Sequence, residues 1–465
     1  MLSFSASICQ QQTRNQMNRL LPLNLLRRID ILPGAHHRSI FSGLAFVSTF
    51  IVIAKLFGAL KEVAVAARYG TGSAVDAYVY IFNLLSWPLS VWISTLGIVL
   101  IPLFVRANRD QPAQLAQFER EFFSLSLAAG AVLGIIGGLA ITAILISSAS
   151  GLSPGTMSYA RWMAIPLAVI VPMGFASTLF ATQLMVSRRH TNSLFEGIPA
   201  LCILIAVLLS HDQTGRSLVI GTVAGYAVQL VTLILSESGF RKAISFSLEF
   251  RSPLWAEVRK YSLIVILSQL LITASGVLDQ VMVAHLNGNA NAVLGYAARL
   301  LALFTGLGAT AIGRALLPVL SELRAGGEGQ ESAIAKHWAS ILFFIGAVVA
   351  GLGWITAQTF VHVAFERGAF SSQDTLHVAE VLRFGFLQLP FYFSGIVIVQ
   401  LVASRAQYSA FLYANAIALA GKVAFNFTFI PMMGVKGAAL ATALMYAVSF
   451  AALWVLSAKA ERATR

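Results

Sequence analysis

Apolar runs of about twenty residues recur along almost the whole chain, and few folds can house them. They fall near 40–66, 76–105, 121–148, 158–186, 192–210, 216–237, 256–286, 291–322, 332–358, 376–404, 408–430 and 434–457. Such runs match a hydrocarbon core about 30 Å thick. Inside lipid each backbone N–H and C=O must find its partner within the segment, so these runs become helices. Only 11% of the 465 residues are charged, against about 25% in soluble domains. The chain therefore reads as an all-α polytopic membrane protein with about twelve transmembrane helices.

Two stretches repeat one another at a single ungapped offset. Gly58, Leu60, Val63, Val65, Ala66, Gly70, Ala74, Val75 and Tyr78 align with Gly276, Leu278, Val281, Val283, Ala284, Gly288, Ala292, Val293 and Tyr296. Duplicated helical halves are how many transporters build a site that faces either side of the bilayer. An even number of spans per half makes the halves parallel, two pseudo-symmetric six-helix lobes around a central cavity. The expected division is a basic cytoplasmic tail over 1–38, a lobe over 39–237 and a linker over 238–253. A second lobe over 254–457 and a tail over 458–465 complete it.

The net charge of +13 raises the question of nucleic acid, and its distribution answers it. Lys and Arg number 21 in the segments on one side of the spans and 5 on the other. By the positive-inside rule both termini are cytoplasmic. The basic excess reflects topology and attraction to anionic headgroups, with no nucleic-acid partner. Cys9 and Cys202 are too few for a disulfide or metal framework.

A charge near the bilayer centre costs about 2.5–3.5 kcal/mol, so it usually faces a polar interior. On the first helix Lys55, Gly58, Lys61 and Glu62 fall within an arc of roughly 120°. One face of that helix is wet, and Gly58 admits a backbone or a ligand. Lys61 also lies where it can snorkel toward the headgroups. Asp76 is read either as the N-cap of the second helix or as part of the site. Asp279 occupies the repeat position of Lys61. The two can pair across the axis, although Glu62 is nearer to Lys61 in sequence. Arg299, Arg314, Arg383 and Lys422 add fixed cations, which suit an anion such as pyrophosphate. No HExxH, CxxC, GxSxG or Walker pattern occurs, so neither enzyme nor cofactor is expected.

Four passages resemble the MviN/MurJ family of lipid II flippases and its polysaccharide-exporter superfamily. They are Lys55-x-x-Gly58-x-x-Lys61-Glu62 with Tyr69-Gly70-Thr71-Gly72-x-x-x-Asp76-Ala77-Tyr78; Ile101-Pro102-Leu103-Phe104; Gly295 to Leu300 with Leu316-Leu317-Pro318; and Asn426 to Thr442. The resemblance implies a helical transporter of the bacterial inner membrane. Its substrate is an undecaprenyl-pyrophosphate-linked saccharide, either lipid II or an exopolysaccharide repeat unit. It implies polysaccharide or peptidoglycan synthesis enzymes as partners. Lys55, Gly58, Lys61, Glu62, Asp76, Asp279 and Arg299 become the candidate substrate site, with Lys55, Lys61 and Arg299 on the pyrophosphate. The family's paired arginines stand here as lysines, Ala298 replaces an Asp, and two C-terminal helices usual in the family are missing. These departures incline the reading toward an exopolysaccharide unit. A multidrug or cation exporter of the same superfamily is the competing transporter, a membrane polymerase or glycosyltransferase is the reading from another class, and a non-transporting assembly scaffold is a further alternative.

Overall fold

The computed structural model describes residues 35–147, 149–186, 195–236, 249–286, 288–325, 331–405 and 408–464. Most of the expected 1–38 tail and of the 238–253 linker lies outside them. The described residues before Ile53 belong to one compact unit and those from Ile53 onward to a second, which holds both repeats. Fourteen helices are described. In the first half they are α1 (Ala35–Tyr69), α2 (Ser73–Asp110), α3 (Pro112–Ile146), α4 (Pro154–Ala168), α5 (Ile170–Val186), α6 (Ile198–Leu209) and α7 (Arg216–Ser236). The second half holds α8 (Leu254–Ala284), α9 (Ala290–Ala325), α10 (Glu331–Phe365), α11 (Ser372–Phe386), α12 (Leu389–Ser404), α13 (Tyr408–Met433) and α14 (Val435–Thr464).

The all-α polytopic architecture is as expected, and the expected count of about twelve spans is not confirmed. Among the described residues nine helices are long and apolar enough to cross a membrane, or ten if the bent pair α11–α12 is one span. Helix α6 has 12 described residues, about 18 Å at 1.5 Å per residue and so too short alone.

The duplication runs further than the sequence comparison reached. Helix α2 packs on α4 and α5 as α9 packs on α11 and α12; α3 lies on α5 as α10 lies on α12, and α6 on α7 as α13 on α14. The punctuation repeats too. Ser153 caps α4 by accepting from the Thr156 N–H, and Ser371, at the same offset as the nine identities, caps α11 in a capping box with Asp374. Pro172 and Pro390 also stand at that offset. Each proline lacks the N–H that would reach the residue four back, Ala168 and Phe386, which are the last residues of α4 and α11. One span of each half is therefore broken at the same point, by 42° between α11 and α12.

The six described glycines of positive φ also come in pairs: Gly70 with Gly288, Gly151 with Gly368 and Gly215 with Gly434. Gly70, at φ +55°, ends α1 in the left-handed conformation that glycine adopts without penalty, its N–H donating to the Ala66 carbonyl at 2.8 Å. Here the absence of a side chain has a second use. The repeats meet at these turns, and a Cβ on Gly70 would lie 2.5 Å from the Ala369 carbonyl oxygen.

That meeting is a polar seam. The Ala369 N–H donates to the Ala67 carbonyl at 2.8 Å, and the Tyr296 hydroxyl to the Gly70 carbonyl at 2.9 Å. Ser73 and Thr156 donate to Asn289 Oδ1 at 3.2 and 3.3 Å, and the Thr71 hydroxyl donates to Asp374. Asp76 belongs to this seam. It does not cap its own helix, whose N-cap is Gly72. Instead its Oδ1 accepts the Ala292 N–H at 2.8 Å, a donor in the first turn of α9, in the other repeat, that is shared with the Asn289 carbonyl at 3.1 Å,.

Candidate functional site: a cation pair around one carboxylate

Below the seam, α1 and α9 bring three charges together. Lys61 Nζ lies 2.5 Å from Glu62 Oε1, and Arg299 Nη1 lies 3.0 Å from Glu62 Oε2. The three side chains are 18%, 13% and 25% exposed. Arg299 also sits over the Tyr296 ring, 5.5 Å from its centroid, a placement that favours a cation. Two cations share one anion, so the cluster carries a net positive charge. Neither Arg299 Nη1 nor Glu62 Oε2 makes a well-aligned hydrogen bond: the ion pair holds by charge and leaves a guanidinium donor to spare. A phosphate oxygen arriving there meets an unused N–H.

Two cavities adjoin this cluster, both lined by Asn83 and Arg299. One, of 680 Å³, also takes in Lys61, Glu196, Tyr226 and Gln229. The other, of 630 Å³, runs past Trp87, Gln280, Gln388, Tyr392 and Thr442. Trp87 is fixed by a hydrogen bond from its indole to Thr273 Oγ1 at 2.9 Å.

The predicted residues are distributed unevenly. Lys61, Glu62 and Arg299 converge. Lys55 is exposed and lines neither cavity. Around Gly58 a Cβ would meet nothing within 4 Å, so no backbone approaches it. Asp76 belongs to the seam. Asp279 lines the second cavity but is bound to Lys422 at 2.8 Å, and its pairing with Lys61 is not realised. Each of the two charges has a nearer counter-ion, and a charge removed from water is stabilised chiefly by its closest partner. The side chain of Arg314 lies outside those described. Glu196, Asn83 and Trp87 were missed. Asn83 and Trp87 stand one turn apart on α2 (i, i+4), a spacing that could have marked them.

Comparison with known proteins agrees with the geometry. The family model "Lipid II flippase MurJ" matches residues 65–465. The chain belongs to the lipid II flippase MurJ family. It is 26% identical over 402 residues to a probable lipid II flippase MurJ of Synechocystis, covering 79% of this chain and 72% of the relative. It is 25% identical to one from Rhizobium meliloti, covering 83% and 75%. A solved MurJ in an inward closed conformation superposes with a TM-score of 0.74 at 19% identity, over 89% of this chain and 87% of that one. An inward-facing multidrug transporter of the MATE family superposes at 0.66 and 14% identity, over 88% and 95%. At these identities the structural likenesses are of fold. MurJ family membership and the many apolar helices make this a multi-pass membrane protein.

Proposed function

We propose that this MurJ-family chain is a flippase that moves lipid II, an undecaprenyl-pyrophosphate-linked saccharide, from the cytoplasmic to the periplasmic leaflet of the inner membrane. The observation that carries the reading is the pair of cations, one from each repeat, held around Glu62 beside two cavities. In the unloaded protein Glu62 stands in for the anion. The pyrophosphate replaces it between Lys61 and Arg299, while the neutral polar and aromatic walls take the saccharide. Because the cations belong to different repeats, the substrate's hold on them changes when the repeats move apart, as alternating access requires. An inside-negative potential assists the outward passage of an anion by about 2.3 kcal/mol per charge per 100 mV. Family membership supports lipid II over an exopolysaccharide unit.

Depletion in the host is the direct test: lipid II should accumulate in the inner leaflet and cells should lyse. Intact peptidoglycan synthesis with loss of one surface polymer would instead identify an exopolysaccharide unit as the cargo.

Both termini and the 238–253 linker are assigned to the cytoplasm on the 21-to-5 distribution of Lys and Arg,. Single-cysteine labelling from outside should therefore reach the Gly70–Ser73 turn and spare the linker. Periplasmic labelling of the linker would refute the parallel-repeat topology.

A further inference from the structure

Arg383 is one of the cations expected inside the helices, yet it lines neither central cavity. It stands on the outward stripe of α11, between Leu376 and Leu387, which are 49% and 36% exposed. At the same offset the first repeat has Ile165, 67% exposed, so the fold turns this position toward lipid. A cation there is costly unless an anion meets it. Its buried Nε makes no hydrogen bond, and among the described residues no carboxylate pairs with it. Glu380, one turn toward the seam, is taken by Lys436, the second residue of α14, at 3.0 Å. These three side chains therefore carry one positive charge to spare.

Just deeper, at the 42° bend between α11 and α12, lies an apolar groove of 480 Å³. Its walls are Trp354 of α10, Leu387 at the bend, Pro390 and Phe391 of α12, and Leu440 and Leu444 of α14. Leu387 stands one turn past Arg383, and Leu440 one turn past Lys436. The two basic residues thus mark the end of the groove nearer the seam. Arg383 is about 4.5 Å deeper than Glu380 at 1.5 Å per residue, a depth from which a long basic side chain still reaches the headgroups. We propose that Arg383 and Lys436 hold the phosphate of an anionic phospholipid, with an acyl chain lying in the groove between α10 and α14. The planar fork of Arg383 suits two phosphate oxygens at once. The lipid comes from the leaflet on the seam side, which is periplasmic in the proposed topology. It is a resident lipid bound outside both central cavities, so the inference does not depend on which substrate is moved.

The test is thermal melting of the purified full-length protein in detergent with dioleoylphosphatidylglycerol, dioleoylphosphatidylcholine or glycerol 3-phosphate added. Phosphatidylglycerol should raise the melting temperature saturably, by about 3 °C at a hundredfold excess over Kd. Phosphatidylcholine, whose choline cancels the phosphate charge, and glycerol 3-phosphate, which has no acyl chain, should each give less than about 1 °C. Arg383→Ala should remove the difference between the two phospholipids. Arg383→Gln, which keeps most of the side-chain length, serves where Arg383→Ala does not fold. Leu440→Trp, which fills the groove and leaves both cations, should weaken the response to phosphatidylglycerol. Lys61→Ala/Arg299→Ala should keep that response in full, which separates this site from the cluster around Glu62. Equal stabilisation of wild type by both phospholipids would overturn the proposal, as would an intact preference in a folded Arg383 variant. A response to glycerol 3-phosphate as large as that to phosphatidylglycerol would reveal a free-phosphate site instead and overturn it. Loss of the response in Lys61→Ala/Arg299→Ala would move the lipid to the cluster and overturn it equally.

Discussion

Arg299→Ala is expected to reduce lipid II flipping about 100-fold, which corresponds to about 2.7 kcal/mol of lost stabilisation. Arg299 is the cation that the second repeat supplies to the cluster, and its Nη1 is the donor left without an aligned acceptor. Removing it leaves Lys61 alone with Glu62, a neutral pair with no surplus for a pyrophosphate. Arg299→Lys keeps the charge but loses the planar fork and should retain about a tenth of the activity, roughly 1.4 kcal/mol. Lys61→Ala should resemble Arg299→Ala, whereas Lys55→Ala should leave flipping near wild type, since Lys55 lines neither cavity. The measurement is flipping of labelled lipid II in proteoliposomes, normalised to folded protein. Wild-type rates in a well-folded Lys61→Ala/Arg299→Ala variant would exclude this cluster as the pyrophosphate site.

Locking the seam should stop transport altogether. The Ala369 N–H and the Ala67 carbonyl are hydrogen-bonded across the repeats at 2.8 Å, so the two backbones already lie as close as a disulfide requires. In a background with Cys9 and Cys202 replaced, Ala67→Cys with Ala369→Cys should cross-link under mild oxidation. Flipping should fall to background and return on adding reductant. Each single cysteine should flip at a rate close to wild type in either redox state. If the cross-linked protein flips normally, the seam does not need to open and the alternating-access reading fails. Among the described residues the seam contains no ion pair; it is built from hydrogen bonds between neutral groups and from two carboxylates, Asp76 and Asp374, that accept from an amide and a hydroxyl. Such contacts exchange readily for water, which suits a closure that must break in every cycle.

The broad architecture was legible in the sequence because lipid imposes it. Apolar runs and scarce charge leave the backbone only the helix, and the Gly70/Gly288 and Tyr78/Tyr296 identities exposed the duplication. The matching breaks at Pro172 and Pro390 were equally present in the sequence, but a proline announces a kink only once its helix is placed. Of the face of α1 read as wet, Lys61 and Glu62 meet Arg299 of the other repeat, whereas Lys55 and Gly58 line neither cavity. Repeat symmetry misled at Asp279, which was matched with Lys61.

What the sequence determined by itself, then, is what depends on composition and local spacing: the helices and the duplication. The tertiary structure alone decided which charge meets which. Counter-ions are chosen by distances of about 3 Å, and equivalence in a repeat carries no such information. Asp76 reaches an amide in the first turn of α9, Glu62 divides itself between two repeats, and Asp279 turns from Lys61 to Lys422. In a medium that cannot solvate an orphaned charge, each takes the partner that packing places closest.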